Sequence, residues 1–210
     1  MKGVFLTVEG IDGSGKSTQA RALADRLTAA GRDVVTTREP GGSPGAEEIR
    51  NLVLTGDPGR WSPTTEMLLF FASRRDHVEK TIQPALDRGA IVICDRFTDS
   101  TRAFQAGSRP DASGAARRQI DLLHDEVIGI NPDLTLIFDM DPAEALARGV
   151  ARATTELRFE GLGVEFQERM RATYLEIAEN APDRCVVLDA SGDEAAVAAR
   201  VDQIIAKRLA

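Results

Sequence analysis

The sequence has few cysteines, no excess of basic residues and no long apolar run, and each absence excludes a class of protein. Its 210 residues include only two cysteines, Cys94 and Cys185, which lie in separate short apolar runs. Neither is followed closely by a second cysteine or by a histidine, so neither a disulfide framework nor a cysteine metal site is indicated. Because unpaired cysteine is most often buried, we expect two reduced, buried thiols in separate strands.

The charge balance argues against broad nucleic-acid binding. Acidic residues number 33 against 26 lysines and arginines, which gives a net charge of −7. Affinity for a nucleic-acid backbone requires a surplus of basic side chains. Small phosphorylated ligands stay compatible with this composition, because they need only a few local cations.

The apolar runs are too short for a membrane-spanning helix, which needs about 20 residues. The run after the N-terminal Met1 is also too short for a signal peptide. We therefore expect a cytoplasmic protein. Hydrophobic residues make up 42% of the chain, enough for a core of its own. The length predicts one domain over residues 1–210, with a small mobile insertion.

Short continuous apolar runs alternate with longer stretches of helical spacing. Continuous runs are typical of parallel strands that are buried on both faces. The predicted strands are Val4–Val8, Val34–Thr37, Ile91–Cys94, Leu134–Phe138 and Val186–Leu188. The predicted helices are Ser17–Ala30, Ala46–Leu54, Thr64–Asp87, Ala115–Gly129, Pro142–Ala153, Glu165–Ala181 and Asp193–Leu209. This order predicts an α/β fold with a parallel sheet, in which ligands bind at the carboxyl ends of the strands.

The strongest motif is a glycine-rich segment between the first predicted strand and the first predicted helix. It reads Gly10-Ile11-Asp12-Gly13-Ser14-Gly15-Lys16-Ser17-Thr18 and fits the pattern G-x-x-x-x-G-K-[ST]. The glycines let backbone N–H groups turn inward around phosphate oxygens, and the helix N-terminus adds partial positive charge. Lys16 adds a full charge, and the Ser17 hydroxyl can join a Mg²⁺ shell. The motif predicts binding of ATP or GTP, and it leaves the phosphoryl acceptor open.

Features that mark other nucleotide-binding classes are missing from the sequence. A GTPase needs a guanine-reading N-K-x-D segment late in the chain, and the nearest one, Asn131-Pro132-Asp133, lacks the lysine. The second signature segment of transport ATPases is also absent. A kinase is therefore the favoured class.

Two further arginines directly follow predicted strands. Asp95-Arg96 comes after the third strand, and Arg38 comes after the second. Because the carboxyl ends of parallel strands meet at one edge, both arginines should reach the crevice beside the glycine-rich segment. Asp95 can support Mg²⁺ or its waters, and Arg96 can fork onto a phosphate. A local ion pair of Asp95 with Arg96, and a solvated turn arginine at position 38, are the alternative interpretations.

Another pair of arginines precedes a loose segment, Thr154–Gly163. Arg148 and Arg152 are four residues apart and share one face of a predicted helix. A lid at this place could deliver a cation to a transferring phosphoryl group. Transfer to a phosphate acceptor depends on alignment and charge neutralisation, since the acceptor oxygen is already ionised. His77 and His124 lie in no catalytic motif, and we expect both on helix surfaces.

These motifs occur together with further matching segments along almost the whole chain. The segments that carry the match are 9–18, Thr37–Gly42, Leu68–Arg74, Asp95–Gln105, Asn131–Leu136 and Arg171–Leu175. In combination they resemble the bacterial thymidylate kinase family. The resemblance implies a three-layer P-loop kinase fold, a five-stranded parallel sheet flanked by helices, with a small mobile lid at about 146–164. It also implies transfer of the ATP γ-phosphate to dTMP with Mg²⁺, which yields dTDP for dTTP and DNA synthesis.

The resemblance also implies a role for individual residues of the acceptor pocket. Asp12 would approach the sugar 3′-hydroxyl and help to organise Mg²⁺, while Arg38 and Arg96 would hold the acceptor phosphate. Phe70 would stack on the thymine ring, and Arg74 beside it would reach a base carbonyl. The other residues expected in this pocket are Ser100, Thr101, Phe104 and Gln105.

In this family the catalytic arginine comes either from the glycine-rich segment or from the lid. Gly13 stands where the first kind of arginine would be, so the resemblance implies a lid arginine. Arg152 is the first candidate for the lid arginine, and Arg148 and Arg158 are alternatives. The alternatives stay open because an acidic residue and Arg158 are present within Glu156–Glu160 but are shifted by one position from the lid pattern of the family. The implied catalytic residues are Lys16, Asp12, Arg96 and Arg152, and the implied Mg²⁺ residues are Ser17 and Asp95.

The expected partners are the small molecules ATP and dTMP and a second copy of the chain, with no nucleic acid and no membrane. The resemblance implies the homodimer, which we expect through helices around Thr64–Phe71 and Phe97–Phe104. One alternative function is a kinase of another nucleotide or of a nucleoside. A nucleoside would need a carboxylate base, so Arg38 and Arg96 favour a phosphorylated acceptor. The other alternative is a nucleotide-dependent switch or partner-driven ATPase, in which Leu68–Gln105 would have no obvious use.

Overall fold

The computed structural model of the chain describes residues 3–57, 59–107, 114–150 and 163–208. They form a five-stranded sheet in the spatial order β2-β3-β1-β4-β5, with every neighbouring pair parallel. The strands are β1 (Val4–Gly10), β2 (Val34–Arg38), β3 (Ile91–Asp95), β4 (Leu134–Asp139) and β5 (Cys185–Asp189). Each predicted strand is present within two residues of its predicted bounds.

Helices connect the strands and flank the sheet. The first half of the chain contains α1 (Lys16–Ala29), α2 (Pro44–Leu54), α3 (Pro63–His77), α4 (Gln83–Asp87) and α5 (Thr98–Thr101). The second half contains α6 (Ala115–Leu123), α7 (Pro142–Val150), α8 (Gly163–Asn180) and α9 (Glu194–Arg208). Three π-helical turns, Val78–Ile82, Arg102–Gly107 and His124–Ile128, extend α3, α5 and α6. No helix in the described ranges is both long and apolar enough to cross a bilayer.

Each face of the sheet carries its own hydrophobic cluster. Side chains of successive strand residues point to opposite faces, and in β1 Phe5 and Leu6 separate in this way. Leu6 joins a cluster with residues of α1, α8 and α9, whereas Phe5 joins a cluster with residues of α3, α4 and α6. Two helical layers on a parallel sheet are the predicted three-layer α/β fold, which is confirmed.

The two outer strands are more exposed than the sequence predicts. Burial on both faces was expected for all five strands, but Thr36 and Arg38 of β2 are exposed and Val187 of β5 is 41% exposed. The prediction is wrong for β2 and β5 because they are the edges of the sheet, where strands lack a neighbour on one side. Cys94 and Cys185 are both buried and unpaired, as predicted.

One predicted helix is interrupted and one was missed. The stretch Thr64–Asp87 contains a π-helical turn at Val78–Ile82, which ends two residues before Pro84. Because proline has no N–H group, Pro84 cannot donate the α-helical hydrogen bond to the residue four positions earlier. The N–H of Gln83, just before it, donates to the carbonyl oxygen of Val78, five residues back, which is the π-helical pattern. The missed helix is α5, whose four residues are too few to show a helical period.

The sheet has a topological switch point at the carboxyl ends of β1 and β3. The connection after β1 leads to β2 at one side, and the connection after β3 leads to β4 at the other. Ligands of open α/β sheets bind in the crevice at such a point. Because Val8 pairs with Asp95 across these strands, the glycine-rich loop and Asp95-Arg96 lie beside the same crevice.

Candidate active site

The glycine-rich loop lies where it was predicted, between β1 and α1. Gly10, Gly13 and Gly15 have positive φ angles, +86° at both Gly13 and Gly15, a region that favours glycine. A Cβ atom on Gly13 would lie 1.9 Å from the carbonyl oxygen of Ala145 in α7. Position 13 therefore accepts only glycine while α7 stays in place, so this position cannot supply an arginine.

Lys16 begins α1, and its side chain folds back over the loop. Its ammonium group donates to the carbonyl oxygen of Ile11 at 3.1 Å and lies 3.5 Å from Asp12 Oδ1. Burial, and after it the charge of Arg96, lowers the pKa of Lys16. Ser14 Oγ is buried without a hydrogen-bond partner in the described ranges. Both polar groups thus lie inside the loop that the motif predicts to hold phosphate.

Ser17 and Asp95 are in contact across the crevice. The Ser17 hydroxyl donates to Asp95 Oδ2. Asp95 Oδ1 is buried and has no hydrogen-bond partner among the described residues, and a buried carboxylate oxygen is costly unless something satisfies it. Hydroxyl and carboxylate oxygens are ligands that Mg²⁺ prefers, together with waters. The two residues therefore fit a Mg²⁺ ion or its bound water.

Arg96 follows β3 in a left-handed backbone conformation, with φ +72°, which is uncommon outside glycine. Its backbone N–H donates to the carbonyl oxygen of Val8 at 3.0 Å. The guanidinium turns back over the loop, where Nη2 donates to Asp12 Oδ1 at 2.5 Å and Nη1 to Gly10 O at 3.2 Å. Its ion-pair partner is thus Asp12, not the neighbouring Asp95 that the alternative interpretation named.

The ion pair fixes the charge state of both groups. Burial opposes the charge on Arg96, but the carboxylate of Asp12 outweighs it and raises the pKa of Arg96. Burial likewise opposes the charge on Asp12, but Arg96 and then Lys16 lower the pKa of Asp12. The ring of Phe104 lies 5.0 Å from the Arg96 guanidinium carbon, within cation–π range. Arg96 is therefore a permanent cation at the crevice.

A second and a third arginine lie beyond the glycine-rich loop. Arg38 ends β2, lines the cleft and donates from Nη2 to Glu47 Oε2 at 3.1 Å, while Glu47 Oε1 accepts the Gly42 N–H at 2.8 Å. Arg50, which was not expected from the sequence, lines the same cleft and donates from Nη1 to Pro40 O at 2.5 Å. No motif marks Arg50; the signal that could have found it is its helix, which starts directly after the Pro40–Gly42 turn.

Arg74 is the best-buried cation of the cleft, with 3% of its surface exposed. Its Nε donates to Glu39 Oε2 at 2.7 Å, and its Nη2 donates to Thr101 Oγ1 at 3.0 Å. The remaining nitrogen, Nη1, is buried and has no hydrogen-bond partner in the described part of the chain. Because an unpaired buried donor is costly, Nη1 is suited to a ligand oxygen.

The adjacent phenylalanines of α3 point in different directions. Phe71 belongs to the core, whereas Phe70 is half-buried and lines the cleft. Sequence alone favoured a core position for Phe70, and the resemblance favoured a pocket position; the structure places it in the pocket. Phe104 and Gln105 lie in the π-helical turn after α5, and Gln105 Nε2 donates to the buried Glu66.

Both histidines are buried, so their predicted surface positions are wrong. The exposed fractions of His77 and His124 are 0% and 2%. His77 Nδ1 lies 3.0 Å from Glu39 Oε1, and its Nε2 lies 2.7 Å from Thr37 Oγ1. His124 Nδ1 lies 3.0 Å from Thr98 Oγ1. Each imidazole is paired with a distant polar side chain, which a helical pattern in the sequence does not reveal.

Glu39, His77 and Cys94 form a buried cluster whose potential ligand atoms lie within 4.8 Å of one another. Their polar atoms are already committed, since Glu39 accepts from Arg74 and the Cys94 thiol donates to Arg96 O at 3.0 Å. Burial, followed by the charge of Glu39, raises the pKa of Cys94 far above its ordinary value, which disfavours the thiolate that metals require. The cluster supports the pocket wall.

The lid arginines are described only in part. Arg148 lies in α7, where its Nη2 donates to Glu144 Oε1 at 2.5 Å and to Gly192 O at 3.3 Å. It therefore touches the loop that follows β5. Arg152 and Arg158, with the rest of 151–162, lie outside the described residues.

These side chains line one cleft of about 270 Å³ at the carboxyl ends of β1 and β3, close to the lower end of small-molecule sites. The expected residues that line it are Asp12, Lys16, Ser17, Arg38, Phe70, Arg74, Asp95, Arg96, Ser100, Thr101, Phe104 and Gln105. The structure thus brings the phosphate loop, the predicted metal pair and the predicted acceptor residues together.

Known proteins resemble this chain over its full length. The sequence pattern of the family described as Thymidylate kinase matches residues 8–201. The thymidylate kinase of Ruegeria pomeroyi is 58% identical over 99% of this chain and 96% of its own length, and that of Jannaschia sp. is 54% identical over 100% and 99%. The crystal structure of thymidylate kinase from Ehrlichia chaffeensis is 36% identical, has a TM-score of 0.78, and is matched over 98% of this chain and 99% of its own. Together with the geometry of the cleft, these similarities show that the chain belongs to the thymidylate kinase family.

Proposed function

We propose that the chain transfers the γ-phosphoryl group of ATP to dTMP in the presence of Mg²⁺, forming ADP and the dTDP needed for dTTP and DNA synthesis. The observation that carries the proposal is one cleft that holds both a phosphate loop and an acceptor pocket with several arginines. The full-length thymidylate kinase relatives support thymidylate as the acceptor.

On the donor side, the phosphates of ATP lie in the loop Gly10–Thr18. Lys16 exchanges its present partners, Ile11 O and Asp12, for phosphate oxygens of ATP. Ser17 and Asp95 would hold Mg²⁺ or its waters, and the bound ion would supply positive charge to neutralise the phosphates.

On the acceptor side, Arg38 and Arg96 hold the phosphate of dTMP. Two cations offset the repulsion between the acceptor phosphate and the triphosphate, and guanidinium groups bind phosphate through paired hydrogen bonds. The attacking oxygen of dTMP is already anionic, so no side chain has to remove a proton. Asp12 accepts from the sugar 3′-hydroxyl and keeps Arg96 oriented through their ion pair.

The base lies between Phe70 and the buried Arg74. The Phe70 ring offers a flat apolar surface for stacking on thymine. Nη1 of Arg74, which has no hydrogen-bond partner among the described residues, donates to a base carbonyl. Thr101, which already accepts from Arg74, lies at the base edge with Gln105. Phe104 crowds the 2′ position of the sugar and disfavours ribose.

One further cation, which acts on the transferring phosphoryl group, comes from the lid at about residues 146–164. The lid and the rest of the chain form a single domain over residues 1–210. Arg152 is the first choice, with Arg148 and Arg158 as alternatives. The backbone of α7 leaves no room for a side chain at Gly13. This close contact supports the lid, and not the glycine-rich loop, as the source of the cation. The reaction belongs to the cytoplasm, which the two buried free thiols support because such thiols persist in reducing compartments.

The proposed homodimer uses the outer face of α3. Leu68 of α3 is 50% exposed and Leu122 of α6 is 61% exposed, and the π-helical turn that continues α6 packs against α3. Large exposed apolar side chains favour a protein interface. The second segment expected there, Phe97–Phe104, is largely buried within the chain and is replaced by α6 in the proposal. Light scattering tests this: Leu68→Glu and Leu122→Glu should each shift the mass from dimer to monomer.

A substrate panel tests the proposed reaction. ADP production from Mg-ATP is measured with dTMP, dUMP, dCMP, AMP, GMP, UMP and thymidine as acceptors. A strong preference for dTMP supports the reaction and the base pocket together. Activity on another monophosphate would retain the kinase chemistry and refute the thymine pocket, a preference for thymidine would refute the phosphate role of Arg38 and Arg96, and acceptor-independent hydrolysis would refute the kinase.

A further inference from the structure

Glu9 is a fully buried acidic residue directly before the phosphate loop, with 0% of its surface exposed. Its Oε1 accepts the backbone N–H of Phe97 at 2.7 Å. Its Oε2 accepts the Ser100 hydroxyl at 2.6 Å and the Tyr174 hydroxyl at 3.2 Å. The carboxylate thus collects three donors from two separate parts of the chain, the segment after β3 and α8, and the proposed reaction gives it no role.

The same two hydroxyl oxygens also face Arg96. Its Nη1 donates to Ser100 Oγ at 2.9 Å and to Tyr174 Oη at 3.0 Å. A guanidinium has no acceptor and an ionised carboxylate has no donor. A hydroxyl that bonds to both must therefore point its proton at Glu9 and its lone pair at Arg96. The direction of these hydroxyl groups is set by the carboxylate.

The charge of the carboxylate is favoured above neutral pH. Burial, and then the charge of Asp99, raises the pKa of Glu9 to about 7, while the charge of Arg96 opposes the rise. At pH 8.5 the carboxylate is therefore ionised and acts only as an acceptor.

We propose that Glu9 is a positioning residue for Arg96, acting through the two hydroxyl groups that they share. Nη1 of Arg96 is held by these hydroxyls and by Gly10 O. The nitrogens left for an acceptor phosphate are Nη2, now paired with Asp12, and Nε. The inference rests on the proposed function, because it requires an acceptor that carries a phosphate.

The network also reaches the helix that follows the lid region. Tyr174 lies in α8, which begins at Gly163, directly after the residues that contain the expected lid. Tyr174 is 1% exposed, and its hydroxyl lies 3.0 Å from Ser100 Oγ as well as near Glu9 and Arg96. The orientation of Arg96 is thereby tied to α8 and to β1 at once.

The test replaces the carboxylate by an amide of the same shape, Glu9→Gln. The amide oxygen can still accept the Phe97 N–H, but the amide nitrogen donates where Oε2 accepted. The hydroxyl lone pairs then turn to the amide and leave Nη1 of Arg96. Affinities of dTMP and of thymidine, which lacks the phosphate, are measured by calorimetry at pH 8.5 without ATP.

We expect Glu9→Gln to lower the affinity for dTMP about tenfold and to leave that for thymidine within about twofold, since only the phosphate contact is disturbed. An equal loss for both ligands, which a purely structural role would produce, overturns the inference. Unchanged affinity for dTMP also overturns it. If the wild-type chain itself does not bind dTMP, the proposed function fails instead, so the two failures are distinguishable.

A second variant and a double-mutant cycle keep the test decisive if Glu9→Gln does not fold. Tyr174→Phe removes one of the two hydroxyls and should lower dTMP affinity about threefold with thymidine affinity unchanged; a parallel loss or no loss contradicts the inference. In an Arg96→Met background, either substitution should cause no further loss of dTMP affinity. Full additivity would mean that Glu9 does not act through Arg96.

Discussion

The two halves of the cleft are built in different ways. The donor half is one continuous loop, Gly10–Thr18, whose shape follows from its glycines and from the start of α1. The acceptor half is assembled from distant segments, and Glu39 accepts there from Arg74 and bonds to His77, partners 35 and 38 positions away in the chain. The first half is a property of a short sequence, and the second is a property of the fold.

This difference implies different consequences of substitution. Lys16 and Ser17 act on the ligand, so their loss should lower turnover while the fold persists. Glu39 and Arg74 form a buried ion pair with 3% exposure on each side, and breaking one partner leaves an uncompensated charge in the interior. Substitutions in the acceptor half should therefore lower both stability and activity.

The largest effect is expected at Lys16. Lys16→Met should reduce turnover by about 10³-fold or more, because the transition state loses a charge aimed at the phosphates. The free energy of unfolding should not fall, since a buried charge is removed and Asp12 keeps its ion pair with Arg96. The exposed Lys80→Met serves as the control in the same coupled assay, and near-normal turnover of the Lys16 variant would contradict the donor assignment.

The adjacent arginines of α3 offer the next contrast. Arg74→Met should lower the free energy of unfolding by about 3–5 kcal/mol, because Glu39 stays behind as a buried carboxylate that has lost its arginine and keeps only the His77 ring as a partner. Arg75→Met removes an ion pair with Glu79 whose partners are both 47% exposed, which should cost at most about 1 kcal/mol. Urea unfolding compares the two variants. Equal losses would refute the claim that the acceptor half is held by buried pairs.

Glu9 should give the pH dependence of stability a definite sign. The pKa of Glu9 is raised from 4.5 to about 7 in the folded chain, so between these values the folded state binds more protons than the unfolded state. The wild-type chain should therefore lose stability relative to Glu9→Gln as pH rises through this window, by about 3 kcal/mol in total. Denaturant unfolding at several pH values measures the difference, and a flat difference would contradict the prediction.

The smallest expected effect separates two glycines of the donor loop. Gly13 and Gly15 share φ +86°, but a Cβ atom at Gly15 meets no atom within 4 Å, whereas one at Gly13 meets the backbone of Ala145. Both alanine variants should lose stability because alanine disfavours the left-handed backbone conformation. Gly13→Ala should lower the free energy of unfolding by about 1–3 kcal/mol more than Gly15→Ala, because its methyl group collides with Ala145. Thermal unfolding tests the difference, which would vanish if α7 moved freely away from the loop.

The local features of this chain could be predicted from its sequence. The phosphate loop, the five strands and the residues that end β2 and β3 follow from short patterns of glycine and apolar residues. Because parallel strands end at a common edge, the position of Arg38 and Arg96 beside the loop could also be predicted. The resemblance added the pocket positions of Phe70 and Arg74, and the sequence alone would have left Phe70 in the core.

The missed features are pairings between distant residues. Nothing near His77 in the sequence indicates that Glu39 lies beside it, and nothing near Tyr174 indicates contact with Glu9. The exposure of β2 and β5 depends on the strand order, which apolar runs do not encode. The lid stays a prediction, as Arg152 lies outside the described residues.

The most direct test of the two-part cleft is the affinity of Arg38→Met for each substrate separately. Arg38 is half exposed and pairs with Glu47, away from the donor loop. Calorimetric titration should show dTMP binding weakened about tenfold, and thymidine and a non-hydrolysable ATP analogue bound as in the wild type. If the ATP analogue loses as much affinity as dTMP, or if dTMP binding is unchanged, the assignment of Arg38 to a separate acceptor half is wrong.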